Sequence, residues 1–170
     1  MKTRTNFFGS VSSVALPLLI WKTPGSKLQG GDEEISRARA FEEPLVPIGG
    51  HATVKENKAL GTALAAYVKR DESDDASPIT NFLQRHPASV WRASLLTNLG
   101  LAYRRTAHFS KALGAWEEAW KLAKNESDVK ARAVGDRAVG ELADLTARLG
   151  HQEKLENVAV PEAVIPLGAE

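Results

Sequence analysis

The sequence predicts an all-α fold of antiparallel helical hairpins stacked as a short solenoid, and three observations carry that expectation. The composition is 43% hydrophobic but only 6% aromatic, and its weight on Ala, Leu and Val suits close helix packing better than sandwich strands. Apolar residues recur at spacings of three and four through most of the stretch from Val54 to Leu149, which is the period of an amphipathic helix. The two clearest runs are separated by about two residues, a gap that places helices side by side and antiparallel. With 170 residues, one core is expected.

The first 31 residues differ from the rest. Lys2, Arg4, Lys22 and Lys27 are basic, and no acid precedes Asp32. Met1 to Asn6 reads as a charged leader and Phe7 to Trp21 as an apolar stretch shorter than the roughly 20 residues a membrane span needs. Residues 1–31 are therefore expected to be a signal peptide, exporting the chain to the periplasm or the medium, with a disordered N-terminus on a cytoplasmic protein or an uncleaved anchor as the alternatives. No stable membrane span is expected. Trp21-Lys22 follows the apolar run directly, and the nearest cleavage-like site is Leu28-Gln29-Gly30.

Asp32 to Glu43 has the makings of a short helix, ended by Pro44, Pro47 and Gly49-Gly50. Residues 32–53 are accordingly expected to be a linker, and residues 54–159 the helical domain. Val54 to Arg70 places Leu60, Ala63, Leu64, Tyr67 and Val68 on one helical face. The acidic run Asp71, Glu72, Asp74 and Asp75 then precedes Ser77-Pro78, where Ser77 is expected to cap a helix and Pro78 suits its first turn. As a calcium loop this run fails, because Ala76 stands where the turn glycine belongs and Phe82 where the closing glutamate belongs.

Phe82-Leu83 lie on a short helix ending at His86-Pro87. From Ser89, the expected cap, to Ala107, the residues Trp91, Leu95, Leu96, Leu99, Ala102 and Tyr103 form one apolar face. Phe109, Ala112, Leu113, Trp116, Ala119, Trp120 and Ala123 repeat the pattern on a second helix. Trp91 and Trp120 sit at the edges of these stripes and need neighbours, the condition that drives repeats to stack. Ser127 to Leu149, with Ala131, Ala138, Leu142 and Leu145, supplies one neighbour. A further short helix is expected through Leu155 and Val158, before a tail over 160–170 carrying Pro161 and Pro166.

Leu99-Gly100, Tyr103, Phe109, Ala112, Trp116 and Ala119 have the spacing by which Ala93 to Lys124 resembles a tetratricopeptide repeat of the bacterial type. The run from Phe82 to Trp91 resembles the joint between such repeats. Ala107 stands where the family usually has Gly, residues 54–86 match poorly, and the third unit has a longer first helix than the family pattern. The resemblance implies that Gly100 and Ala112 let two backbones approach, that Tyr103 and Phe109 fill the hairpin interior, and that Trp116 packs towards the following helix.

It also implies a concave groove, lined by the first helix of each hairpin, that receives a peptide or helix of a protein partner. Its lining would be Ser94, Thr97, Asn98, Leu101, Arg104 and Arg105 in the central unit, and Arg137, Asp144 and Arg148 in the next. The excess of arginine points to an acidic or carboxylate-ended ligand, because a guanidinium holds a carboxylate by two parallel hydrogen bonds. The order of elements is also similar to the front end of large secreted bacterial proteins of the Rhs kind, which implies a structural or spacer segment as the alternative.

No chemistry of another class is visible. A formal net charge of +1 gives no field for nucleic acid, and Arg92, Arg104 and Arg105 lack the interleaved aromatics of a nucleic-acid surface. With no cysteine, disulfides, thiolate metal sites and a cysteine nucleophile are excluded. His51, His86, His108 and His151 form no pair at the spacing of helical metal ligands, so no metal or cofactor is expected. Glu117 and Glu118 are adjacent and point in different directions, which prevents them from working as a facing acid and base; both are expected in solvent, with Glu117 able to pair with Lys121. No nucleophile elbow surrounds a serine, and Pro24-Gly25-Ser26-Lys27 and Gly30-Gly31 lack the spacing of a phosphate loop. No catalytic residue is expected.

Overall fold

The computed structural model describes residues 31–150. The expected signal segment, the helix through Leu155 and Val158, His151 and the tail lie outside the described residues. Among those described there are six helices and no strand: α1 Asp32–Ser36, α2 Val54–Val68, α3 Ser77–Arg85, α4 Arg92–Arg105, α5 Phe109–Ala123 and α6 Val129–Arg148. None of them is long and apolar enough to cross a membrane.

Local chemistry sets the helix ends. Thr53 starts α2, its hydroxyl accepting from the Glu56 amide at 3.2 Å. Asp128 starts α6 by accepting from the amides of Lys130 and Ala131 at 3.0 and 2.9 Å. Each cap satisfies amides that a helix leaves without intrahelical partners. At α3 the cap position falls on Ala76, one residue before the expected Ser77, which is already helical; Asp75, just outside the helix, accepts from the Ser77 amide at 2.8 Å. No side chain caps α3 from the cap position itself, and Pro78 occupies the first turn.

Helix α4 starts at Arg92 rather than at Ser89, whose hydroxyl accepts from the Trp91 amide at 3.2 Å and donates to Glu56 of α2 at 2.6 Å. Its C-terminus closes with the Ala107 amide on the Arg104 carbonyl at 3.2 Å and the His108 amide on the Tyr103 carbonyl at 2.8 Å. That paired closure requires a left-handed residue, and Ala107 adopts it with φ of 60°. This is the position at which the resemblance calls for glycine.

Helices α4 and α5 are antiparallel. Ala93 and Ala123, at opposite ends of their helices, share one apolar cluster with Val134 of α6, and Trp116 of α5 packs under Gly100. Helix α6 runs parallel to α4, because the start of α4 meets Val134 while Arg104 at its end pairs with Glu141 and Asp144. On the opposite side, α2 and α3 pack together and bring Leu60, Leu64, Tyr67, Ile79, Phe82 and Leu83 into one core with Trp91, Leu95 and Leu99.

Two packing expectations change. Phe109 is 39% exposed, so it does not fill the hairpin interior; it lies at the first position of α5, beyond the tight turn. Trp116 points back onto α4, where its indole Nε1 donates to the Thr97 carbonyl at 3.1 Å. A Cβ on residue 100 would overlap that indole, so the glycine makes room for a side chain rather than for a second backbone.

Residues 32–53, expected as a linker, are built into the core. Ile35 and Leu45 are each 1% exposed, Phe41 packs on Tyr67 with ring centroids 4.8 Å apart and planes tilted by 37°, and α1 packs on α2. The nine consecutive residues of α4 from Ala93 to Leu101 are all buried. A helix buried on every side needs a partner on every side, and the stretch Glu42–Ile48, hereafter the strap, covers the last one.

Candidate functional site

The strap lies on the face of α4 that the resemblance assigns to the groove. Pro44 and Pro47 explain its shape, since a proline disfavours helical backbone in the residue before it. Glu43 and Val46 are those preceding residues, and theirs are the main-chain groups that α4 reads. Asn98 Oδ1 accepts from the Glu43 amide at 3.0 Å, and Asn98 Nδ2 donates to the Glu43 carbonyl at 3.2 Å and to the Ser94 carbonyl at 3.0 Å. The Ser94 hydroxyl donates to the Val46 carbonyl at 3.0 Å. The far end is held by the Ile48 amide on the Val90 carbonyl at 2.8 Å.

The nine residues expected at the groove divide into two groups. Ser94, Thr97, Asn98 and Leu101 are buried. Ser94 and Asn98 face the strap through the bonds above. Thr97 returns its hydroxyl to the Ala93 carbonyl at 3.0 Å, and Leu101 belongs to the main core. The charged positions do come together at the surface. Arg105 pairs with Glu42 at 3.1 Å and Arg137 with Glu43 at 3.2 Å, so two arginines meet carboxylates of the strap. Arg137 also reaches Glu141 at 3.0 Å, Arg104 pairs with Glu141 and with Asp144, and Arg148 pairs with Asp144 at 2.9 Å.

Compared with known proteins, the chain matches no family model, no curated protein and no solved structure.

Beside the strap, an open cleft of about 880 Å³ runs between it and the first half of α6, with Ser94, Thr97 and Asn98 on its floor and Val134 and Arg137 on its far wall. Among the described residues every buried side-chain nitrogen or oxygen has a hydrogen-bond partner, and no group of three or more His, Asp or Glu residues is placed to hold a metal ion.

A second polar chain secures the base of the strap. Trp91 Nε1 donates to Asn57 Oδ1 at 2.8 Å, Asn57 Nδ2 donates to Asp32 at 2.7 Å, and His51 Nδ1 lies 3.1 Å from the other oxygen of Asp32. Burial works against the charged form of Asp32, but the hydrogen bonds from Asn57 and His51 outweigh it and hold its pKa below the ordinary carboxylate value. Asp32 and His51 thus join the two ends of the segment that carries the strap.

Sequence reasoning missed the strap itself, although signals for it existed. Two prolines three apart dictate an extended chain, and Leu45 is an apolar residue in a stretch otherwise taken for solvent. Short polar residues at 94, 97 and 98 on a helix flanked by leucines are a further sign that main-chain groups lie nearby. Arg92 and Glu118, read separately as surface charges, pair at 2.6 Å across α4 and α5. Glu117 and Lys121 pair at 2.6 Å as expected.

Proposed function

We propose that this protein is a non-enzymatic protein–protein interaction module that holds an extended segment against α4 by its main chain and reads acidic side chains with flanking arginines. The observation that carries this reading is the double hydrogen bond between Asn98 and the main chain of Glu43, flanked by Arg105–Glu42 and Arg137–Glu43. Main-chain bonds supply affinity without sequence preference, and the arginines add a preference for carboxylates. The antiparallel α4/α5 pair with α6 running parallel to α4 supports a short tetratricopeptide-like stack, in which α4 and α6 are first helices. An N-terminal export signal is part of the same proposal.

Panning random linear peptides against the immobilised chain tests the reading. Enrichment of acidic sequences whose capture is lost in Asn98→Leu, with helical circular dichroism retained, supports it. Turnover of a substrate by the chain alone would overturn the non-enzymatic assignment.

One observation favours a second reading, a structural or spacer segment of a larger secreted bacterial protein. Every arginine of the expected groove already has a carboxylate from this same chain. Self-association that rises with concentration, together with no enriched peptide, would favour the spacer.

A further inference from the structure

We infer that the strap Glu42–Ile48 is a displaceable ligand carried in cis, and that the partner is an extended peptide of the same chemistry: two adjacent acids, a proline, then apolar residues. The inference rests on the interaction-module reading and specifies its partner.

Four features support it. First, the strap is held mainly by main-chain hydrogen bonds and by surface ion pairs. Of its seven residues Leu45 alone is fully buried, and both partners of the Arg105–Glu42 pair are more than half exposed. Exposed ion pairs contribute little to stability, so one buried anchor, the half-buried Val46 and Ile48 against Ala93, Ala123 and Val134, and a few hydrogen bonds retain the segment.

Second, the strap ends at Gly49-Gly50, with φ of 80° and 150° and no atom within 4 Å of where a Cβ would stand. These glycines are needed for backbone conformation and not for space, and glycine's wide choice of φ leaves the chain free to turn there as the strap lifts. Third, the open cleft of about 880 Å³ flanks the strap on its α6 side, so the strap can leave without a helix moving first. Fourth, its charges complement the floor it covers: Glu42 and Glu43 meet Arg105 and Arg137 on two different helices. A foreign peptide with that charge pattern would find the same arginines and the same Asn98.

A ligand in cis lowers the apparent affinity for one in trans by the fraction of time the groove is open. The probe is therefore the capped, fluorescent octapeptide Phe-Glu-Glu-Pro-Leu-Val-Pro-Ile, residues 41–48, titrated by polarisation into the full chain. Leu45→Asp removes the anchor and should bind the peptide at least roughly ten-fold more tightly than the unaltered protein, if the groove is open less than about a tenth of the time. Adding Asn98→Leu should abolish binding, and a peptide with both Glu replaced by Lys should not bind.

Equal affinity for the unaltered protein and Leu45→Asp would overturn the cis-ligand inference and leave the module reading intact. Binding of panned peptides, but not of the octapeptide, to Leu45→Asp would do the same. Failure of both the octapeptide and the panned peptides on a folded Leu45→Asp would overturn both readings. A dimer that trades straps between copies would overturn the assignment to a foreign peptide.

Should Leu45→Asp fail to fold, native-state hydrogen exchange on the unaltered protein decides. The amides of Glu43 and Ile48 should exchange through an opening that leaves the α4 amides protected. Exchange of strap and α4 amides together, only through global unfolding, would overturn the inference.

Discussion

The side-chain amide of Asn98 satisfies both main-chain groups of Glu43, accepting from its N–H at 3.0 Å and donating to its carbonyl at 3.2 Å across 55 positions of sequence. A buried main-chain group left without a partner costs more than the net worth of the bond that served it. Asn98→Leu is expected to destabilise the fold by about 1 to 3 kcal/mol, the cost of about one such group because both bonds are only part-buried, as read from urea unfolding. A loss below about 0.5 kcal/mol, less than one net hydrogen bond, would mean that the strap does not occupy this position in solution.

Glycine positions should split by what surrounds them. Gly100→Ala drives a methyl group into the Trp116 indole and is expected to cost about 1 to 3 kcal/mol or more, the usual penalty of overpacking. Gly114 and Gly140 lie inside α5 and α6 with no atom within 4 Å of a new Cβ. Alanine there should raise stability by about 0.5 to 1 kcal/mol through helix propensity. Thermal melts of the three single variants check both signs.

Ala107→Gly should stabilise the chain. Ala107 has φ of 60°, a conformation that costs an L-residue with a Cβ about 1 to 2 kcal/mol, while glycine carries a larger entropy in the unfolded chain. The net gain is expected to be about 0.5 to 1 kcal/mol, seen as a higher urea midpoint with an unchanged slope.

Acid should loosen the base of the strap. The pKa of Asp32 is lowered in the folded protein, so its contribution is fully present above the unfolded carboxylate value of about 3.9 and is lost as pH falls through the lowered folded value. Stability measured between about pH 6 and pH 2, a window spanning that loss, should fall less steeply at the acid end in Asp32→Asn than in the unaltered chain. Parallel curves would remove Asp32 from the account.

The helices are legible in the sequence because each announces itself locally. The period of α2, α4, α5 and α6, the break at His86-Pro87 and the tight connection before Phe109 need only neighbours within a few residues. The caps are half legible: Asp75 and Ser77 both suit the start of α3, and local sequence does not say which of them enters the helix. The strap is not legible as a packed element, because its stability depends on Ser94, Asn98 and Val90 some 42 to 55 positions away and its own residues read as breakers. The arginines at 104, 105, 137 and 148 are neighbours in space, as the helical spacing implies. Arg148–Asp144 and Arg137–Glu141 are pairs four apart on α6 and readable from the sequence, whereas Glu42 and Glu43 reach Arg105 and Arg137 only because the strap packs there.

The separation between the strap and its seat has a consequence for the order of folding. Trp116 meets Thr97 across 19 positions, whereas Glu42 meets Arg105 across 63, and closing longer loops is slower and entropically more demanding. The helical stack should therefore assemble first and the strap dock afterwards, so that weakening the strap speeds unfolding and leaves the folding rate nearly unchanged. On the ribosome the sequence of events runs the other way in space: residues 42–48 emerge before α4 exists. The seat on α4 is thus formed in the presence of a tethered segment at high local concentration, which is on hand to dock as soon as Ser94 and Asn98 are in place.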